Sequence, residues 1–127
     1  MNSARETSFK TIRVSAERLP KHLVRLKISG ELDVAACNDL LPQIDTFVDK
    51  TARVLIVDLE DLRFMDSSGV KLLISFGNQF GFENVVIYKA NRNILRVLEI
   101  IVCGRKFVYL ASDGELEDWH NNLDTAA

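Results

Sequence analysis

Cysteine is scarce in this chain. Cys37 and Cys103 allow one pair at most, which is no disulfide framework. Only two histidines occur, His22 and His120, and no Cys or His cluster has the spacing of zinc ligands. No apolar run approaches the roughly 18 residues of a membrane span. Met1 to Thr7 is polar and lacks the apolar core of a secretion signal. There is no glycine-rich phosphate loop. No sign of charge dominates either: 16 basic residues face 18 acidic ones, a net charge of -2. That balance gives no pull toward nucleic acid or an anionic membrane. Together these absences point to a cytosolic protein with no metal and no cofactor.

What is present is an ordinary soluble composition, 47% apolar and 27% charged, over 127 residues. That length suggests one domain, with residues 1–7 a loose tail and 8–127 the folded unit. Such a chain buries roughly two-thirds of its unfolded surface, enough for a core.

The most informative stretch surrounds Asp66-Ser67-Ser68-Gly69. Before it, Val54-Leu55-Ile56-Val57-Asp58-Leu59 is short and rich in β-branched residues, the pattern of a buried strand. After it, Val70, Leu73, Ile74, Gly77 and Phe80 recur at three- and four-residue steps, predicting an amphipathic helix to about Phe80. The motif therefore sits where a strand's exit loop becomes a helix N-terminus. Asp66 suits the N-cap. Ser67 falls at the first helical position, exposed, with its hydroxyl at the positive end of the helix dipole.

Toward the N-terminus, Phe9 to Val14 predicts a strand, Ser15 to Lys21 a turn, and His22 to Ser29 a second strand. The two are close enough to pair as an antiparallel hairpin. In the second, Val24, Leu26 and Ile28 alternate with Arg25 and Lys27, so one face is buried and the other partly wet. Gly30 ends that strand, and Asp33 suits the cap of the next helix. Val34, Cys37, Leu40, Leu41, Ile44, Phe47 and Val48 share one helical stripe. Pro42 lies inside it and should kink or break the helix.

Beyond the motif, Gly81 suits a helix C-cap. Val85 to Tyr88 is another continuous apolar strand. Asn91 to about Val102 predicts a helix with Ile94, Val97, Leu98 and Ile101 facing inward. Phe107 to Leu110 is a last strand. Asp113 to about Leu123 is a terminal helix with Leu116, Trp119 and Leu123 on its apolar side. Strands alternating with helices imply an α/β fold, a mostly parallel sheet of about five strands with about four helices, in which only the first strand need be antiparallel. Loops leaving the carboxyl ends of parallel strands share a rim. Gly30 to Asp33, Asp58 to Ser68 and Ala90 to Arg92 all leave that way, so the rim should present Asp33, Asp66, Ser67, Ser68, Gly69 and Arg92 to a partner.

Val54 to Leu62 leading into Phe64-Met65-Asp66-Ser67-Ser68-Gly69, with Gly30-Glu31-Leu32-Asp33 upstream, closely resembles the anti-sigma factor antagonists of bacteria, the STAS domain family. The resemblance runs from about Phe9 to the last helix. It implies a STAS-like fold and a switch protein rather than an enzyme. Unphosphorylated, such a protein binds an anti-sigma factor and frees the sigma factor. In the sporulation and stress branches the anti-sigma factor is a serine kinase, of the histidine-kinase-like ATPase fold, that phosphorylates the serine standing here as Ser67. A PP2C-type phosphatase reverses the modification. The chain departs from the family where Thr-Gly is usual near the end of the third helix: here Ile101-Val102 precedes Cys103-Gly104. Pro42 is also unusual. Other family members sit in transporters, stressosomes or lipid-transport complexes. The intact Asp-Ser-Ser-Gly favours the antagonist branch.

Blander readings stand beside these. Asp33 and Asp66 are most simply N-caps, and Ser67 an ordinary helix-start serine. Ser68 supports the turn. Gly69 answers either a close approach by a partner's backbone or a packing need. Leu72 and Phe76, off the predicted inward stripe, are core or an apolar patch. Cys37 reads as inert core. A serine hydrolase needs a base beside Ser67 and lacks the Gly-x-Ser-x-Gly elbow. A phosphoacceptor receiver needs a lysine after the last strand, where Ala111-Ser112 stands. A nucleotide-binding module needs the missing phosphate loop.

Overall fold

A computed structural model of the chain describes residues 4–8 (backbone only), 12–48, 50–102 and 106–123. The strands are β1 (Ala4–Ser8), β2 (Ile12–Leu19), β3 (Leu23–Leu32), β4 (Val54–Asp58), β5 (Leu62–Met65), β6 (Val85–Tyr88) and β7 (Val108–Leu110). The helices are α1 (Val34–Leu40), α2 (Ile44–Phe47), α3 (Ser67–Phe80), α4 (Arg92–Val102) and α5 (Asp113–Asn122). The sheet runs β1-β2-β3-β4-β6-β7. β1, β2 and β3 pair antiparallel, and β3, β4, β6 and β7 pair parallel. The mostly parallel α/β architecture and the N-terminal hairpin are as expected from the alternation of patterns.

The face a strand buries follows from its alternation. In β3, Val24, Leu26 and Ile28 enter the main core, while Leu23 and the Arg25 and Lys27 positions lie on the opposite face. β4 and β6 are buried along their whole length and serve both faces. Leu55, Val57 and Ile87 pack with residues of α1, α3 and α4, whereas Val54, Ile56, Val86 and Tyr88 form a smaller cluster with Leu116 and Trp119 of α5 and with Leu123, its C-cap. That is why their sequences are continuously apolar rather than alternating.

Several boundaries differ from expectation. Ala4–Ser8 is an edge strand paired with β2, not a loose tail. A polar strand of this kind has no apolar periodicity to betray it, because its hold on the sheet is the backbone ladder. β2 continues to Leu19, so Ser15 to Leu19 is strand rather than turn. The turn is Pro20 to His22, with Lys21 and His22 both at positive φ. The expected loop from Asp58 to Ser68 contains β5, which pairs parallel with Gly30, Glu31 and Leu32 of β3. β3 therefore does not stop at Gly30. It passes through an irregularity there, at φ 103°, a backbone that glycine adopts without strain. The count is seven strands among the described residues, against about five expected.

Pro42 breaks its helix as predicted. α1 ends at Leu40, a tight turn spans Leu41–Gln43, and α2 is four residues long. Leu41, at the break, is exposed rather than inward, and so is Val34 at the start of α1. In α4, Ile94 and Leu98 are buried, but Ile101 is 45% exposed and faces outward. Leu72 and Phe76 are core, which settles them against the surface patch. Cys103 lies outside the described residues.

Candidate functional site

The rim is built where β3 and β5 end side by side. Leu32 and Met65 are paired in the sheet, and the next residue on each strand is an aspartate. Asp33 caps α1, its Oδ1 accepting from the Ala36 N–H at 2.9 Å. Asp66 caps α3, its Oδ1 accepting from Ser68 N–H at 2.9 Å and Gly69 N–H at 3.3 Å. Two carboxylates and two helix N-termini thus sit about one strand spacing apart, roughly 5 Å. Each carboxylate is engaged by amides, and the dipole of each helix favours its charge.

Gly69 explains how the two ends come so close. A Cβ there would run into Met65 Cγ and meet the Leu32 backbone oxygen at 3.0 Å. Its absence lets the first turn of α3 lie on the end of β3. Asp66 N–H also donates to that same Leu32 oxygen, at 3.3 Å. The packing reading of Gly69 is sufficient. Ser68 is half-buried, its N–H held by the cap, while Ser67, first residue of α3, is exposed.

Beneath the caps lies Cys37, 4% exposed. Burial pushes its thiol up to about 11, with Asp66 and then Asp33 adding to the effect. A neutral, buried thiol is a poor nucleophile, as the core reading of Cys37 requires.

Arg92 stands apart from this group. It is exposed at the start of α4, whose preceding residue Asn91 accepts from Ile94 N–H at 2.9 Å and donates to the Leu62 carbonyl at 3.2 Å. That ties α4 to the beginning of β5, whereas Asp66 follows its end, so about 10 Å of strand separates the two places. Asp33, Asp66, Ser67, Ser68 and Gly69 form one cluster, with Arg92 on its flank.

Two residues beside the cluster escape a reading of the sequence. Val34 is 55% and Phe64 48% exposed. Phe64 becomes recognisable only once β5 is known, since its position opposite Glu31 sets which way it faces. Both histidines are remote from Ser67. The His22 carbonyl accepts from Arg53 and Val54 N–H at the opposite end of the sheet, and His120 is on α5. No group of metal-binding side chains occurs among the described residues.

Residues 13–107 match the family model for the STAS domain. The chain belongs to the STAS domain family. Its fold is that of anti-sigma factor antagonists of known structure. SpoIIAA in its unphosphorylated form is 21% identical with a TM-score of 0.65, over 87% of this chain and 99% of that one. The Bacillus cell fate determinant SpoIIAA in its phosphorylated form is 24% identical, TM-score 0.62, over 84% and 98%. An anti-sigma factor antagonist from Mycobacterium paratuberculosis is 20% identical, TM-score 0.62, over 91% and 93%. No curated protein matches the chain. In this STAS domain the caps of α1 and α3 occupy the carboxyl rim of the sheet, and no helix among the described residues is long and apolar enough to cross a membrane.

Proposed function

We propose that this STAS domain is a cytoplasmic anti-sigma factor antagonist. In this reading its unphosphorylated form binds an anti-sigma factor and releases the sigma factor, and phosphorylation of Ser67 by that partner, a serine kinase, switches it off. A PP2C-type phosphatase restores it. The observation that carries the reading is Ser67 itself, exposed on the first turn of α3 while the neighbouring carboxylate is already engaged as the cap. The hydroxyl is thus free of structural duty, and Asp33, Ser68 and Arg92 complete the partner surface with the apolar contacts Val34 and Phe64, while Gly69 is buried beneath it. The domain is the substrate of the kinase and supplies no catalytic group.

The switch is electrostatic. A phosphate at Ser67 adds about -1.5 to -2 charge beside Asp33 and Asp66. The α3 dipole offsets up to ~1 kcal/mol of that within the domain. Repulsion against a partner docked on the rim lies outside that offset, so affinity falls without refolding.

Calorimetric titration against the cognate anti-sigma factor tests this. Ser67→Ala should bind like the wild type and resist inactivation by the kinase and ATP. Ser67→Glu should bind more weakly, and the phosphorylated domain more weakly still. Equal affinity across the unmodified, Ser67→Glu and phosphorylated forms, or phosphate mapped to Ser68, overturns the assignment.

A further inference from the structure

α5 is held differently from every other long helix of this domain. None of its residues is fully buried. Its apolar contacts with the sheet, through Leu116, Trp119 and Leu123, are partial. Between it and the sheet is a cavity of about 230 Å³ lined by Leu19, Leu23, Ile56 and Leu116. The Nε2 atom of His120, on the same helix, is buried without a hydrogen-bond partner in the protein, a desolvation cost that docking has to overcome. Apolar packing alone therefore holds α5 loosely.

Polar contacts supply the rest: Lys21 Nζ donates to the His120 carbonyl at 2.8 Å, and two further contacts meet at the first residue of the helix. Asp113 accepts a hydrogen bond from the Tyr88 hydroxyl. It also pairs with Lys89 Nζ at 3.3 Å. The same Lys89 ammonium pairs with Glu60 at 3.3 Å and lies 5.3 Å from the centre of the Tyr88 ring. Glu60 belongs to the β4–β5 loop, whose chain runs through β5 to Asp66 and Ser67. Lys89 itself is held at φ 55°, a left-handed conformation that a residue with a side chain adopts only when its surroundings impose it. One ammonium, fixed by a strained backbone, thus joins the N-terminus of α5 to the loop leading to the rim.

We propose that α5 is a releasable cover over the second face of the sheet, latched by Lys89, and that this latch couples the docking of α5 to the order of the β4–β5 loop. Release bares Leu23, Val54, Ile56 and Val86 while the main core stays intact on the other face. The proposal does not depend on whether Ser67 is phosphorylated.

Amide hydrogen exchange on the full chain, with the emission of Trp119, the single tryptophan, as a second probe of α5, tests it. In the wild type, α5 amides should exchange through local opening while β4 and β6 stay protected. Asp113→Asn keeps an acceptor for Tyr88 but removes the charge, and should raise α5 exchange about fivefold, the ceiling for a solvent-accessible pair. Glu115→Gln, which removes a charge from the same first turn without touching Lys89, should change it less than about twofold. Lys89→Met should speed exchange in α5 and at the Glu60 and Leu62 amides together. Exchange of α5 only through global unfolding overturns the proposal. So does an equal effect of Glu115→Gln and Asp113→Asn, or a Lys89→Met effect confined to one of the two segments.

Discussion

α3 and α5 lie on opposite faces of one sheet, and each begins with a side-chain cap, yet they are secured by different physics. α3 buries Gly69, Val70, Leu72, Leu73, Phe76 and Gly77. α5 buries none of its residues completely and leans on Asp113, Lys89, Tyr88 and a hydrogen bond from Lys21 Nζ to the His120 carbonyl at 2.8 Å. Burial scales with area and tolerates no voids. An exposed ion pair contributes at most about 1 kcal/mol and is screened by salt. The helix that carries Ser67 is therefore a rigid platform, and the helix behind the sheet is adjustable. On the proposed reading, a phosphate on Ser67 would act by its charge, since the platform beneath it is closely packed.

Truncation in the two helices breaks or sharpens that contrast most directly. Leu73→Ala, at a fully buried position, should cost about 3 kcal/mol in denaturant unfolding. Leu116→Ala, on the half-buried face of α5, should cost about 1 kcal/mol or less. Equal losses would show that α5 is as firmly packed as α3.

Gly69→Ala comes next. The added methyl overlaps Met65 and crowds the Leu32 oxygen, so α3 has to lift from β3, at about 1–3 kcal/mol. An unchanged melting temperature would mean the two helix ends are not in contact.

A smaller effect comes from pH on the α1–α3 side. The folded-state pKa of Cys37, about 11, lies above its ordinary value of 9.0, so the unfolded chain loses the proton first. This contribution is intact below about pH 9 and is lost as pH rises through about 11. Near pH 10 it amounts to roughly 1 kcal/mol. Stability should fall more steeply between those values in the wild type than in Cys37→Ala. Parallel curves would place Cys37 in contact with water.

The smallest contrast separates the cap from the proposed phosphorylation site. Asp66→Ala should cost about 1 kcal/mol, because two amides of α3 lose their acceptor. Ser67→Ala should cost less than about 0.5 kcal/mol. The reverse order, measured by chemical denaturation, would make Ser67 the structural residue and Asp66 the dispensable one.

Local chemistry alone determined a good deal of this molecule. Val85 to Tyr88 and Val54 to Leu59 read as buried strands, Asp33 and Asp66 as caps, Gly81 as the end of α3, and Pro42 as a break. Each of these rests on a neighbour-to-neighbour preference of the backbone. Ser67 at the first position of its helix was legible for the same reason. Tertiary structure decided what depends on residues distant in sequence. β1 and β5 carry almost no periodicity of their own and exist because β2 and β3 offer unpaired backbone groups. The inward face of α3 proved to include Leu72 and Phe76, because helices on both flanks and the sheet below wrap more of its surface than one stripe. The adjacency of Asp33 and Asp66, 33 positions apart, follows from the pairing of Leu32 with Met65. The reach of Lys89 to both Glu60 and Asp113 depends on a backbone angle that no lysine prefers by itself. Short-range sterics and hydrogen bonding are written residue by residue. Which strand edges pair, and which charges then meet, is settled only when the whole sheet closes.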